Sequence, residues 1–122
     1  MGMKMIGTGV DITEVKRLRD AVQKWGDDFL RKIFTPLELK NARTRISMHQ
    51  HLAGRFAAKE AVFKALGDKN IKWHDLEIIN DSDGKPHCKI LNHKGNNIEV
   101  KVSISHVKSY AVAQAIVAEN TK

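Results

Sequence analysis

The hydrophobic period of the chain changes at Gly67, and that change limits the possible folds more than any other feature. Before it, beyond a short opening strand, apolar residues recur at helical spacing; after it, apolar and polar residues alternate between polar turns. The order read from these periods is β-α-α-α-β-β-β-β. Short turns between the later strands require antiparallel pairing, so the chain belongs to the α+β class, with an N-terminal strand and helices packed on a mainly antiparallel sheet.

Local signals mark the elements. Met5 to Ile12 reads as a strand whose Gly7 and Gly9 weaken strand propensity but let another backbone come close. Thr13 is the expected N-cap of a helix that runs to Trp25 and stops at Gly26. Val15, Leu18, Ala21, Val22 and Trp25 form its apolar arc, leaving Lys16, Arg17, Arg19 and Lys24 as a basic outer face. Thr35-Pro36-Leu37-Glu38 combines a capping box with proline at the first helical position, and that helix lapses near Arg45. Ser47-Met48-His49-Gln50 is a second box opening a longer helix that ends at Gly67. Strands are expected over Trp73–Asn80, His87–Leu91, Ile98–Ser105 and Tyr110–Val117, with polar turns at 80–86 and 92–97; the last strand is apolar enough to be central.

With 122 residues the chain is one domain, 1–122, expected to expose about 6,600 Å² when folded, which is small enough for a real core. Its single cysteine, Cys88, cannot form an internal disulfide and reads as a bland, at least half-buried thiol. No stretch has the order of a signal peptide, and the apolar run from Ala111 to Ala118 is too short to cross a bilayer. A soluble, cytoplasmic protein is expected. The formal charge of +7 calls for an anionic partner. Residues 1–60 hold 12 basic and 7 acidic side chains and all six arginines, so the anion-facing surface is expected there.

Three places carry possible chemistry. Asp11 sits where a strand gives way to a helix, a position that suits a ligand site but also complements a helix dipole. Glu60 and Lys64 stand four apart on one helix face beside Ala53, Ala57, Phe56 and Phe63; they form either an exposed ion pair or the charged rim of an anion site. If Asp11 and Glu60 converge, two hard oxygen donors suit Mg²⁺, with water and phosphates completing its shell. Ser103-Ile104-Ser105-His106 puts an imidazole and a hydroxyl at a strand end, available to a phosphate or simply to solvent. His49, His51, His74, His87 and His93 form no zinc pattern with Cys88, and Asp81-Ser82-Asp83-Gly84 reads as a hairpin turn rather than a calcium loop.

In order along the chain, GTGVDITEVKRL, FLRKIFTPLEL, LAGRFAAKEAVFKALG, NDSDGKP and VSISHVKSYAVAQAIV resemble the bacterial holo-acyl-carrier-protein synthases, the short 4′-phosphopantetheinyl transferases. The resemblance spans nearly the whole chain. It implies the 4′-phosphopantetheinyl transferase fold and transfer of the phosphopantetheine arm from coenzyme A to a serine of apo acyl carrier protein. Adenosine 3′,5′-bisphosphate would be released, in the service of fatty acid biosynthesis. It further implies Asp11 and Glu60 as Mg²⁺ ligands, with Glu60, Lys64 and His106 as catalytic groups. Arg55, Lys64, Pro86, Ser105 and His106 would contact coenzyme A, and Arg17 would anchor the acidic carrier protein. Glu60 itself, or a water held by the metal, would take the serine proton. The family forms homotrimers with active sites between protomers, and the same is expected here, with no nucleic-acid or membrane partner.

Two departures from the family pattern stand out. His51 replaces a more usual aromatic or apolar residue before Leu-Ala-Gly-Arg, and Met1–Met5 lengthens the start. The competing class, a small basic nucleic-acid-binding module, would explain the charge. It would need more than 6% aromatics and a recognisable motif, and its one candidate stacking residue is Trp73.

Overall fold

In the computed structural model, residues 2–67, 70–92 and 97–121 are described. Strand β1 (Met3–Glu14) leads into α1 (Val15–Ile33), α2 (Pro36–Arg43) and α3 (Met48–Leu66). A 3₁₀ turn (Trp73–Asp75) precedes β2 (Leu76–Asn80), β3 (Pro86–Ile90), β4 (Ile98–His106) and β5 (Tyr110–Asn120). The strands form an antiparallel sheet in the order β1-β5-β4 and a separate hairpin, β2-β3. As its apolar run implied, β5 is central, with Asp11 opposite Ala113 on one side and His106 opposite Ala111 on the other.

The sheet and α3 meet through small residues. On β5, Ala111, Ala113, Ala115 and Val117 are buried, as are Ala57, Ala61 and Ala65 on α3. A Cβ placed on Gly9 would lie well under 3.0 Å from the carbonyl oxygen of Ala61, and one on Gly7 equally close to that of Ala65. The paired glycines therefore let β1 lie directly on the α3 backbone, which side chains at those positions would forbid. Helix α3 consequently runs through the interior, buried on most of its circumference.

A second layer of core, including Val15, Leu18, Leu30, Phe34, Leu39 and Leu52, fills the space under α1 and α2. It surrounds a fully buried ion pair. Lys59 Nζ donates to Glu38 Oε1 at 2.6 Å, to the Ile33 carbonyl at 2.8 Å and to the Trp73 carbonyl at 3.2 Å. Glu38 Oε1 also accepts from Thr35 N at 2.8 Å, completing the expected capping box, while Oε2 accepts from Ile78 N at 2.7 Å. One carboxylate thus starts α2 and ties it to α3 and β2.

Several local expectations are corrected. Thr13 is not a helix cap: it remains in β1, paired with Ala111, because sheet pairing outweighs the local capping preference. Helix α1 continues past Gly26, where φ of +65° breaks the helical path, and resumes to Ile33. Trp25, beside that break, is 60% exposed instead of closing the apolar arc, and Lys24 lies over its ring at 5.0 Å. Ser47 precedes α3 without a side-chain cap bond. Trp73 belongs to a 3₁₀ turn and packs between Phe56 and Phe63, at ring-centroid distances of 5.3 and 4.8 Å, so it is no exposed stacking platform. Gly67 ends α3 in the left-handed conformation, as anticipated. Of the 92–97 turn, Asn92 and Asn97 have positive φ, and 93–96, including His93, lie outside the described residues. Among the described residues, no helix is long and apolar enough to cross a membrane.

Candidate active site

Two cavities use α3 as a wall. On an ideal helix the stripe of His51 and Arg55 lies roughly 140° from the stripe of Phe56 and Glu60, and Lys59 falls between them. The first stripe lines a cavity of about 540 Å³, the second a cavity of about 330 Å³.

The smaller cavity has an acidic corner. Asp11 and Glu60 both line it, and Arg17 of α1 stands at the same opening. Asp11 is held from both sides, its Oδ2 accepting from Thr13 Oγ1 at 2.9 Å and its Oδ1 lying 3.3 Å from Lys64 Nζ. Lys64 Nζ also donates to the Val10 carbonyl at 2.9 Å, so the lysine bridges α3 to β1 beside the Gly9–Ala61 approach. The Glu60 carboxyl is pushed above its ordinary pKa, first by burial and then by the Asp11 charge, with Lys64 opposing. Two carboxylates on one cavity wall could hold a hard cation, and such a donor pair fits Mg²⁺, which keeps several non-protein ligands. Phe29 and Phe56 supply an apolar wall.

The larger cavity is basic. Arg55 is only 7% exposed, yet its Nη2 reaches Asn80 Oδ1 at 2.5 Å, which fixes the guanidinium at the cavity wall. Burial, followed by the Arg45 charge, lowers its pKa to about 10, with Glu38 opposing; it remains a cation at neutral pH. Arg45, His51, Pro86 and His106 share this lining. Pro86 is placed by the hairpin turn, where Asp81 Oδ1 accepts from Asp83 N at 2.9 Å and Lys85 N at 3.0 Å. That bonding makes the Asp-Ser-Asp-Gly segment a side-chain-stabilised turn. Cys88, half-buried on β3, has its thiol pushed up to about 12, chiefly by burial.

The structure therefore brings together Asp11, Glu60, Lys64 and Arg17 on one side, and Arg55, Pro86 and His106 on the other. Ser105, exposed on β4, lines neither cavity. Sequence reasoning missed Thr13, Arg45 and Asn80. Thr13 was within reach, because residues two apart on a strand share a face. Arg45 and Asn80 come from a loop and a strand end that carry no periodic signal.

Residues 7–115 match the 4′-phosphopantetheinyl transferase superfamily. The holo-[acyl-carrier-protein] synthase of Halothermothrix orenii is 41% identical over 115 residues, covering 88% of this chain and 92% of that one. The enzyme of the same description from Fusobacterium nucleatum is 42% identical over 122 residues, covering 93% and 98%. A crystal structure of the Bacillus anthracis holo-(acyl-carrier-protein) synthase in complex with CoA (3′,5′-ADP) superposes with a TM-score of 0.83 at 35% identity, covering 98% of this chain and all of that one.

Proposed function

The chain belongs to the 4′-phosphopantetheinyl transferase superfamily, among the holo-[acyl-carrier-protein] synthases, and from that premise we propose an Mg²⁺-dependent transfer assembled from both cavities. The carrying observation is the acidic corner, where Asp11, Glu60 and Lys64 converge from β1 and α3 across the glycine seam. In this reading phosphopantetheine passes from coenzyme A to a serine of apo acyl carrier protein, as a cytoplasmic step serving fatty acid biosynthesis.

Asp11 and Glu60 hold the Mg²⁺, with Thr13 orienting the Asp11 carboxylate. The ion supplies Lewis-acid neutralisation of the pyrophosphate charge. Lys64, anchored on the Val10 carbonyl, places a further positive charge beside the transferred phosphoryl group. The serine oxygen bonds to the β-phosphorus, and the bond from that phosphorus to the bridging oxygen breaks. Its electron pair leaves with adenosine 3′,5′-bisphosphate, while the serine proton goes to Glu60 or water. Arg55, fixed by Asn80, and His106 bind the nucleotide phosphates, and Pro86 borders the nucleotide; Ser105, which lines neither cavity, would reach the coenzyme only from outside this pocket. Arg17 and the basic face of α1 receive the acidic carrier.

A homotrimer with shared sites follows from the same reading. The two stripes of α3 face different ways, so one coenzyme reaching both an acidic corner and a basic cavity would take them from neighbouring protomers. The outer sheet face supports this, since Val10 and Ile12 are 59% and 66% exposed and Tyr110 and Val112 lie beside them. The single chain also exposes 7722 Å², more than the roughly 6,600 Å² expected of a monomer this size.

The deciding experiment is intact mass spectrometry of an apo acyl carrier protein after incubation with this protein, coenzyme A and Mg²⁺, beside an EDTA control. A metal-dependent gain of one phosphopantetheine is expected. A carrier left unmodified, or modified equally in EDTA, would overturn the metal-dependent reading.

A further inference from the structure

Arg45, His51, Arg55 and Asn80 line two cavities at once, the basic cavity and a smaller polar one of about 260 Å³ reaching Glu38, Asn41 and Asp81. They form the partition between the two. His51 is the only member of that partition whose charge can change near neutral pH.

The surroundings of His51 are unbalanced. Arg55 faces it from α3, Arg45 from the segment joining α2 to α3, and His106 from the end of β4. Across the smaller cavity stand Glu38 and Asn41 of α2, Asn80 of β2 and Asp81 of the hairpin turn. The carboxylates there are already engaged, Glu38 by Lys59, Thr35 and Ile78, and Asp81 by His87 at 2.8 Å and its own turn. Among the described residues, the charged groups that act on the imidazole disfavour its protonation, and the carboxylates across the smaller cavity already have partners.

We propose that His51 couples ligand capture to proton uptake: a phosphate-bearing ligand entering the basic cavity among Arg45, Arg55 and His106 is taken up together with a proton on His51. In the free protein the imidazole is neutral, its pKa lowered to about 4 by burial, then by Arg55, Arg45 and His106. A phosphate held by Arg45 and Arg55 adds negative charge beside the imidazole and raises the affinity of His51 for a proton. The linkage has a definite direction. Since the ligand-bound pKa exceeds the free one, binding takes up protons at any pH between the two, and the advantage disappears as pH rises through the ligand-bound value.

The inference rests on the basic cavity being the seat of nucleotide phosphates, and its test separates the two. Adenosine 3′,5′-bisphosphate is titrated calorimetrically into the wild-type protein, His51→Phe and His51→Gln from pH 6.0 to 8.0, in buffers of different ionisation enthalpy. Comparing variants cancels proton changes on the phosphates. The wild type should take up more protons near pH 6.5 than either variant, and its affinity should fall about fivefold more between pH 6.0 and 8.0. His51→Gln keeps a polar side chain at the site, so it reads the proton alone should the phenylalanine perturb folding. Equal proton uptake and equal pH slopes in the wild type and His51→Gln would overturn the coupling while leaving the cavity assignment intact. No binding to the wild type at any pH would overturn the cavity assignment, and the coupling with it.

Discussion

The acidic corner and the basic cavity are opposite versions of one device. In the first, burial and then the Asp11 charge raise the cost of ionising Glu60; in the second, burial and then Arg55, Arg45 and His106 lower the proton affinity of His51. Each gathers like charges from separate parts of the fold and leaves them incompletely compensated within the chain. Such a cluster is a cost to the free fold and a gain on binding the opposite charge. In the proposed function a metal ion would answer the first and a phosphate the second, and a metal-bound diphosphate substrate with a further phosphate would answer both. The buried Lys59–Glu38 pair between them shows what the same groups do when each has its partner: it holds elements together.

The sharpest way to break the comparison is Glu60→Ala. Transfer should fall by about 10³-fold, equivalent to about 4 kcal/mol, while adenosine 3′,5′-bisphosphate still binds the basic cavity; steady-state transfer assays and calorimetry check the two halves. The companion Glu60→Gln tests the cost to the fold. Because folding raises the Glu60 pKa, ionising it disfavours the native state, and this penalty is absent in acid and appears as pH rises past the ordinary carboxylate range. In metal-free buffer Glu60→Gln should therefore match the wild type at low pH and melt higher at neutral pH.

Lys59→Met tests whether the two sides depend on one support. It strands a buried carboxylate and should cost about 4 kcal/mol by chemical denaturation, weakening metal and nucleotide binding together. Adding Glu38→Leu should restore only part of this, since Thr35 N and Ile78 N would lose their acceptor. Gly9→Ala is more selective. Its methyl meets the Ala61 carbonyl, so β1 must lift from α3, costing about 3 kcal/mol and moving Asp11 from Lys64 while sparing the basic cavity. A drop in metal-dependent transfer with unchanged nucleotide affinity is the expected signature. Arg17→Glu should have the smallest effect, weakening carrier affinity about tenfold, flattening its salt dependence and leaving coenzyme A affinity unchanged in binding titrations.

Much of this architecture is written locally. The capping box at Thr35, the stop at Gly67 and the alternation along β4 each depend on neighbours within one element, so their residues declare them. Gly7 and Gly9 even announce that another backbone comes close, although not which one. Errors arose where a local preference met a distant partner. Thr13 favours a helix cap but is claimed by Ala111, and Trp25 completes a helical arc on a wheel but sits at a break with no core beneath it.

By itself, then, the amino-acid order determined the succession of elements, the central apolar strand, the motif residues and the family they resemble, since periodicity, capping and turn chemistry act over a few residues. Only the tertiary structure decided that Asp11 meets Lys64, that Arg55 is fixed by Asn80, and that Lys59 closes on Glu38. It also divided one helix between an acidic face and a basic one. These depend on long-range packing of glycine against alanine and on the electrostatics of groups brought together from distant parts of the chain, and neither leaves a periodic trace in the sequence.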